Sequence, residues 1–121
     1  MSITLSSPDC GPGSYDGFIV NGYSADASGT EILRAAPTTA AILISKITIN
    51  NGSSALSHTI SERDDASPQV ETTKLGPISM AVNSVREFEF YPPIRLTAAT
   101  ELVIDASGSG TVCVIVQGRE E

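Results

Sequence analysis

The stretch EFEFYPPIRLTAATELVIDASGSGTVCVIVQG, residues 87–118, decides the fold. Its first four residues alternate. Phe88 and Phe90 take one parity and Glu87 and Glu89 the other, the period of a strand with core on one side and water on the other. Pro92-Pro93 removes two backbone donors, so a central strand cannot continue there. Ile94 to Leu96 restarts the aliphatic pattern, and Glu101 to Ala106 reads as a further strand. Ser-Gly-Ser-Gly then turns the chain into Thr111 to Gln117. In that last strand Val112, Val114 and Val116 share one parity and Cys113 and Ile115 the other, so neither face is polar. A strand of a two-layer sandwich normally shows one face to solvent, and a bare apolar patch invites aggregation. Three coverings fit: the N-terminal segment lying across the outer face, a subunit interface, or a central position shielded by a neighbouring loop.

Working outward, the same pattern of short strands and turn signals recurs every 8–12 residues, the spacing of an all-β sandwich or barrel. Ile and Val together number 20 against 7 Leu, with 11 Thr beside them, and stiff β-branched side chains suit a pleated sheet. Glu31 to Ala35 is a first short strand. AILISKITIN, residues 41–50, is the longest. There Leu43, Ile47 and Ile49 share a parity while Ile42 and Ile44 take the other. Either a bulge lies near Ser45-Lys46 or the first half is covered on both faces. NNGSS is a turn in which Asn51-Gly52 supplies positive φ. Leu56, His58 and Ile60 line one face of the next strand. ERDDASP is a charged loop. Gln69 to Leu75 and Ile78 to Val82 are strands parted by Gly76-Pro77, and Asn83-Ser84 turns the chain into Val85 to Tyr91. The count is about eight strands. Residues 1–29 read as a loop-rich N-terminal arm, with Ile3-Leu5 and Phe18-Val20 as its only short strands. Phe18, Ile19, Val20 and Tyr23 pin the arm to a sandwich domain of residues 30–121.

Composition excludes several activities. The chain of 121 residues carries a net charge of −7, its Lys and Arg are scattered singly, and Trp is absent. Nucleic-acid surfaces need a basic stripe and stacking aromatics, so neither direct nucleic-acid binding nor an anionic membrane partner is expected. No run approaches the length of a membrane span. Met1 to Ser7 lacks the basic and apolar regions of a secretory leader. The two cysteines, Cys10 and Cys113, read as free thiols made in a reducing cytoplasm, with a single bridge between them as the alternative.

The groups that catalyse reactions are sparse. The only histidine, His58, shares a face with Leu56 and Ile60 and reads as half-buried or interfacial. Cys10, His58 and Cys113 are too few and too scattered for a zinc site. Glu62, Asp64 and Asp65 lack the spacing of a calcium loop. Glu87 and Glu89 lie roughly 7 Å apart along one strand face, a separation that overlaps glycosidase carboxylate pairs. It equally describes an ordinary solvated face. A sugar-binding module would have to rely on Tyr15, Tyr23 and Tyr91. No cofactor, metal or catalytic residue is expected.

Three segments carry a resemblance: ITINNGSSALSHTI, FEFYPPIRL and ASGSGTVCVIVQG. Over about residues 41 to 118 they resemble small β-sandwich structural proteins of tailed bacteriophages, of the capsid decoration or cement type. The resemblance implies an antiparallel, jelly-roll-like sandwich on the capsid exterior, made in the bacterial cytoplasm and without enzymatic activity. It implies a homo-oligomer, a trimer by analogy, that clamps the major capsid protein. The interface residues, read from the apolar cluster of the arm and the two apolar faces of the last strand rather than from the resemblance, would be Phe18, Ile19, Val20, Tyr23, Val112, Cys113, Val114, Ile115 and Val116. A receptor- or glycan-binding module of a phage tail or fibre is the alternative, and a small glycoside hydrolase the second.

Overall fold

The computed structural model describes residues 17–24, 29–65 and 68–121, together with the backbone of residues 4–6. The described chain is an all-β sandwich of nine strands: β1 (Thr4–Ser6), β2 (Gly17–Ser24), β3 (Gly29–Arg34), β4 (Ile42–Asn51), β5 (Leu56–Arg63), β6 (Glu71–Met80), β7 (Val85–Arg95), β8 (Glu101–Ala106) and β9 (Val112–Glu120). One sheet runs β1-β2-β9-β4-β7 and the other β3-β8-β5-β6. Every pairing within them is antiparallel.

The inward parity of each strand supplies the core. Phe18 and Val20 from β2, Ile44, Ile47 and Ile49 from β4, and Val112, Val114 and Val116 from β9 meet Leu33, Leu56, Ile60, Leu102 and Ile104 from the facing sheet, all buried. Burial of a side chain of this size contributes about 1.5–3 kcal/mol relative to exposure, so these rows are the main cohesive term. Arg34 clamps one edge. Its Nε and Nη2 donate to Glu120 Oε2 at 2.9 and 2.6 Å, and its guanidinium lies 4.2 Å over the Phe18 ring.

The segment read as an arm enters the sandwich. β2 pairs with β9 along its whole length, from Gly17↔Arg119 to Ser24↔Val112. Phe18 and Val20 follow the inward parity and pack in the core rather than on its surface. The reason is ordinary alternation: Gly17 to Ser24 is long enough to satisfy the N–H and C=O groups of one side of β9.

Two expected strand ends are bulges instead. Ile44 pairs with Ile94 and Lys46 with Glu89, so residues 90–93 stand opposite Ser45 alone. His58 pairs with Ile78 and Ile60 with Leu75, which places Gly76-Pro77 opposite Thr59. β6 and β7 are the edge strands of their sheets, and a proline on an edge can leave the free side of the ladder unpaired. The strands therefore continue past Pro77 and past Pro92-Pro93. The bulge expected in β4 is present at Ser45, between Ile44↔Gly118 and Lys46↔Gln117. Leu43 is also buried on the opposite parity from Ile42 and Ile44, so both readings of that strand hold.

Gly52 works differently from expectation. It is not among the positive-φ residues, which include Asn83 at 57° in the next turn. A Cβ on Gly52 would meet Thr111 Oγ1 at 1.7 Å and the Thr111 carbonyl at 2.8 Å. Close approach of two turns, not a left-handed backbone, requires glycine there.

Candidate functional site: the outer face of the five-stranded sheet

β9 is the middle strand of its sheet, flanked by β2 and β4. Its two apolar faces separate cleanly. Val112, Val114 and Val116 are buried inside the chain, as are Phe18 and Val20, so these five cannot meet a partner subunit in this fold. Ile19, Tyr23, Cys113 and Ile115 take the outward parity. Tyr23 is 44% and Ile115 38% exposed, and Ile19 and Cys113 are half-buried. The nine residues expected at an interface therefore divide between a core and a face.

Strand register fixes what surrounds the four. One row across the outer face reads Tyr23, Cys113, Asn50, Val85. The next reads Asn21, Ile115, Thr48, Glu87, and the third Ile19, Gln117, Lys46, Glu89. Cys113 is a free thiol whose S–H donates to Asn21 Oδ1 at 3.4 Å. The face thus grades from apolar and neutral at the Tyr23 end to charged at the Lys46 end. Lys46 Nζ lies 3.5 Å from Glu87 and 4.0 Å from Glu89. Both carboxylates are exposed, on an edge strand, with an ammonium beside them. That setting is the one expected of a solvated strand face.

The tyrosines disperse. Tyr23 sits at one end of the face, and Tyr91 is fully exposed on the bulge of residues 90–93 at the other. Tyr15 and Cys10 lie outside the described residues. Phe88 and Phe90 pack against the core from the edge with ring centroids 6.5 Å apart and nearly parallel.

His58 is wholly buried, not half-buried, and holds one end of the sandwich together. Its Nε2 pairs with Asn51 Oδ1 at 2.9 Å. Asn51 is itself buried and donates through Nδ2 to the carbonyls of Ser54 at 2.7 Å, Ala81 at 2.9 Å and Met80 at 3.4 Å. Its backbone N–H reaches the Ser84 carbonyl at 2.8 Å, and that of Gly52 the Thr111 carbonyl at 2.9 Å. One asparagine joins the β4–β5 and β6–β7 turns, and the adjacent glycine adds the turn before β9. Asn51 Oδ1 only accepts, so Nε2–H donates to it, and burial, which lowers the His58 pKa below its ordinary value of 6.5, favours the neutral ring.

A second polar hub was not legible in the charged loop. Glu62 is buried, takes an ion pair from Lys74 at 2.9 Å, and accepts from the Thr97 backbone N–H at 3.0 Å. Burial alone would push its carboxyl up; the Lys74 and Thr97 donors outweigh it and hold it below the ordinary 4.5. Glu62 thereby ties the turn after β7 to β5 and β6. Among the described residues no three His, Cys, Asp or Glu side chains gather where a metal ion could sit.

Comparison with known protein families, with curated proteins and with solved structures gives no match.

Proposed function

We propose that this chain is a structural protein of a phage virion that decorates the capsid exterior and stabilises the shell by binding rather than by catalysis. Supporting the architecture is the strand order. Without β1, the sheets run β2-β9-β4-β7 and β3-β8-β5-β6, and the chain changes sheet at every step except β5 to β6. We read this order as the jelly-roll arrangement, which serves viral capsid and lectin domains among others. The fold alone does not fix the function.

The observation that carries the reading is the outer side of β9. Ile115 and Cys113, with Tyr23 beside them, place apolar groups in the middle of a sheet face whose neighbours are Asn21, Thr48 and Asn50. Such a row suits contact with another protein, either a second copy or the capsid lattice. Each contact is modest, and many copies on one shell supply avidity.

The test is a comparison of virions with and without the protein. Shells lacking it assemble but rupture at a lower temperature, and adding back the purified chain restores their resistance. Unchanged heat resistance together with lost adsorption to the host would assign the protein to the tail instead.

A further inference from the structure

Both pairings of β4, to β9 and to β7, break register at one level of the outer face. β4 carries its extra residue, Ser45, against β9, and β7 carries residues 90–93 against that same serine. Bulges re-aim side chains and cluster beside binding sites. Here they open two depressions. One, of about 460 Å³, is lined by Ser45, Lys46, Glu89, Phe90, Tyr91 and Gln117. The other, of about 180 Å³, includes Phe18, Pro93 and Arg119 and shares Ser45 and Gln117 with the first. Tyr91 stands fully exposed at the rim, while its neighbour Phe90 packs against the core.

We infer that this double depression is a carbohydrate-binding groove, with Tyr91 as its stacking platform. The inference does not depend on the shell-binding reading. The chemistry of the lining selects the ligand class. An exposed tyrosine ring offers a broad apolar face with a polar tip, which matches the C–H face of a pyranose. Ser45 Oγ is already engaged, donating to the Gln117 carbonyl at 2.9 Å, and the Gln117 side chain is exposed on the outward parity. Gln117 offers both donors and an acceptor, Lys46 donors only and Glu89 acceptors only. A sugar's adjacent hydroxyls, each donor and acceptor, can use that mixture. A phosphate or carboxylate ligand would meet the Glu89 carboxylate, which lies beside the one ammonium of the larger depression. Ligand sites elsewhere likewise join an apolar wall to a few convergent polar groups.

The experiment is an NMR titration of the isotope-labelled full chain with methyl glucoside, methyl galactoside, N-acetylglucosamine and inorganic phosphate in turn. At least one sugar should shift the Gln117 side-chain amide together with the Lys46, Glu89 and Tyr91 resonances. Tyr91→Ala should weaken that binding by about tenfold or more, Gln117→Ala should weaken it too, and Tyr23→Ala should leave it intact. All three side chains are exposed, so these variants should keep the wild-type fold, as unchanged amide spectra away from each substituted residue would verify. The inference fails if no sugar moves these resonances, if phosphate alone moves them, or if binding survives Tyr91→Ala undiminished.

Discussion

The chain has a single histidine, and that residue is buried at a junction of turns. His58 is therefore the one side chain whose ordinary pKa falls near pH 6.5, and burial lowers it in the fold. The sign follows from proton binding. Above pH 6.5 the ring is neutral in both states and the Asn51 bond is fully present. As the pH falls below 6.5, the unfolded chain takes up a proton that the folded chain refuses, so stability declines. It levels off once the pH passes the lowered folded value. A pH series of denaturant midpoints should show this descent, and His58→Gln, which keeps an N–H donor but cannot titrate, should flatten it. An unchanged slope in His58→Gln would assign the window to other groups. Glu62 acts lower on the scale. Its contribution is complete above its ordinary 4.5 and is lost as the pH falls through its depressed folded value. Asn51→Ala strips a buried donor from two turns and leaves His58 without its acceptor, and should cost about 1–3 kcal/mol, measurable by chemical denaturation. None of this hub was legible in NNGSS. A buried asparagine that bridges turns and an exposed one that forms a turn have the same local sequence, and only the packing of β6–β7 against β4–β5 separates them.

At the scale of the element, parity was a reliable guide and punctuation was not. The phase change in AILISKITIN pointed to the bulge at Ser45, because with a period of two Ile44 and Ile47 reach one face only through an extra residue between them. The prolines of β6 and β7 suggested strand ends, but proline forbids only a donor, and each of these strands has one side with no partner strand in its sheet. Alternation in β9 was legible as two apolar faces. Which face was core depended on pairing with β2, a contact that joins residues about a hundred positions apart and leaves no local trace. The other pairing of β9, with β4, explains Gly118. A Cβ there would stand 2.1 Å from the Leu43 carbonyl and 3.2 Å from the Phe18 ring. Backbone cannot yield as a flexible side chain can, so Gly118→Ala should pry β9 from β4 beside the Ser45 bulge. We expect a loss of about 1–3 kcal/mol, read as a drop in thermal midpoint of roughly 3–5 °C per kcal/mol for a chain between the small and medium size classes. An unaltered midpoint would show that β4 and β9 separate there without cost.

For the whole molecule the question is whether the outer face of β2, β9 and β4 holds another copy. Five strands of 3, 8, 9, 10 and 11 residues, about 4.8 Å apart and rising about 3.3 Å per residue, present roughly 650 Å² of flat face. A stable interface takes about 800 Å² from each partner. The face alone falls short, and its apolar part, Tyr23, Cys113 and Ile115, is a fraction of it. Self-association through this face should therefore be concentration-dependent in solution and become secure only where other contacts add to it, as on a lattice. Stoichiometry bears on geometry as well. The face packed against its own copy closes as a two-fold pair, whereas a trimer needs the face to meet a different surface of its neighbour. The exposed Val82, in the β6–β7 turn and outside those rows, supplies one apolar residue of such a surface. Sedimentation velocity over a concentration series should show the chain moving from monomer toward trimer, and Ile115→Lys should hold it monomeric without lowering its thermal midpoint. The salt response separates the causes. With a net charge of −7, copies repel one another, so added salt should strengthen an apolar contact by screening that repulsion. Weakening by salt would instead place the contact among Lys46, Glu87 and Glu89, and a monomer at every concentration would leave the outer face of β9 without a self-partner.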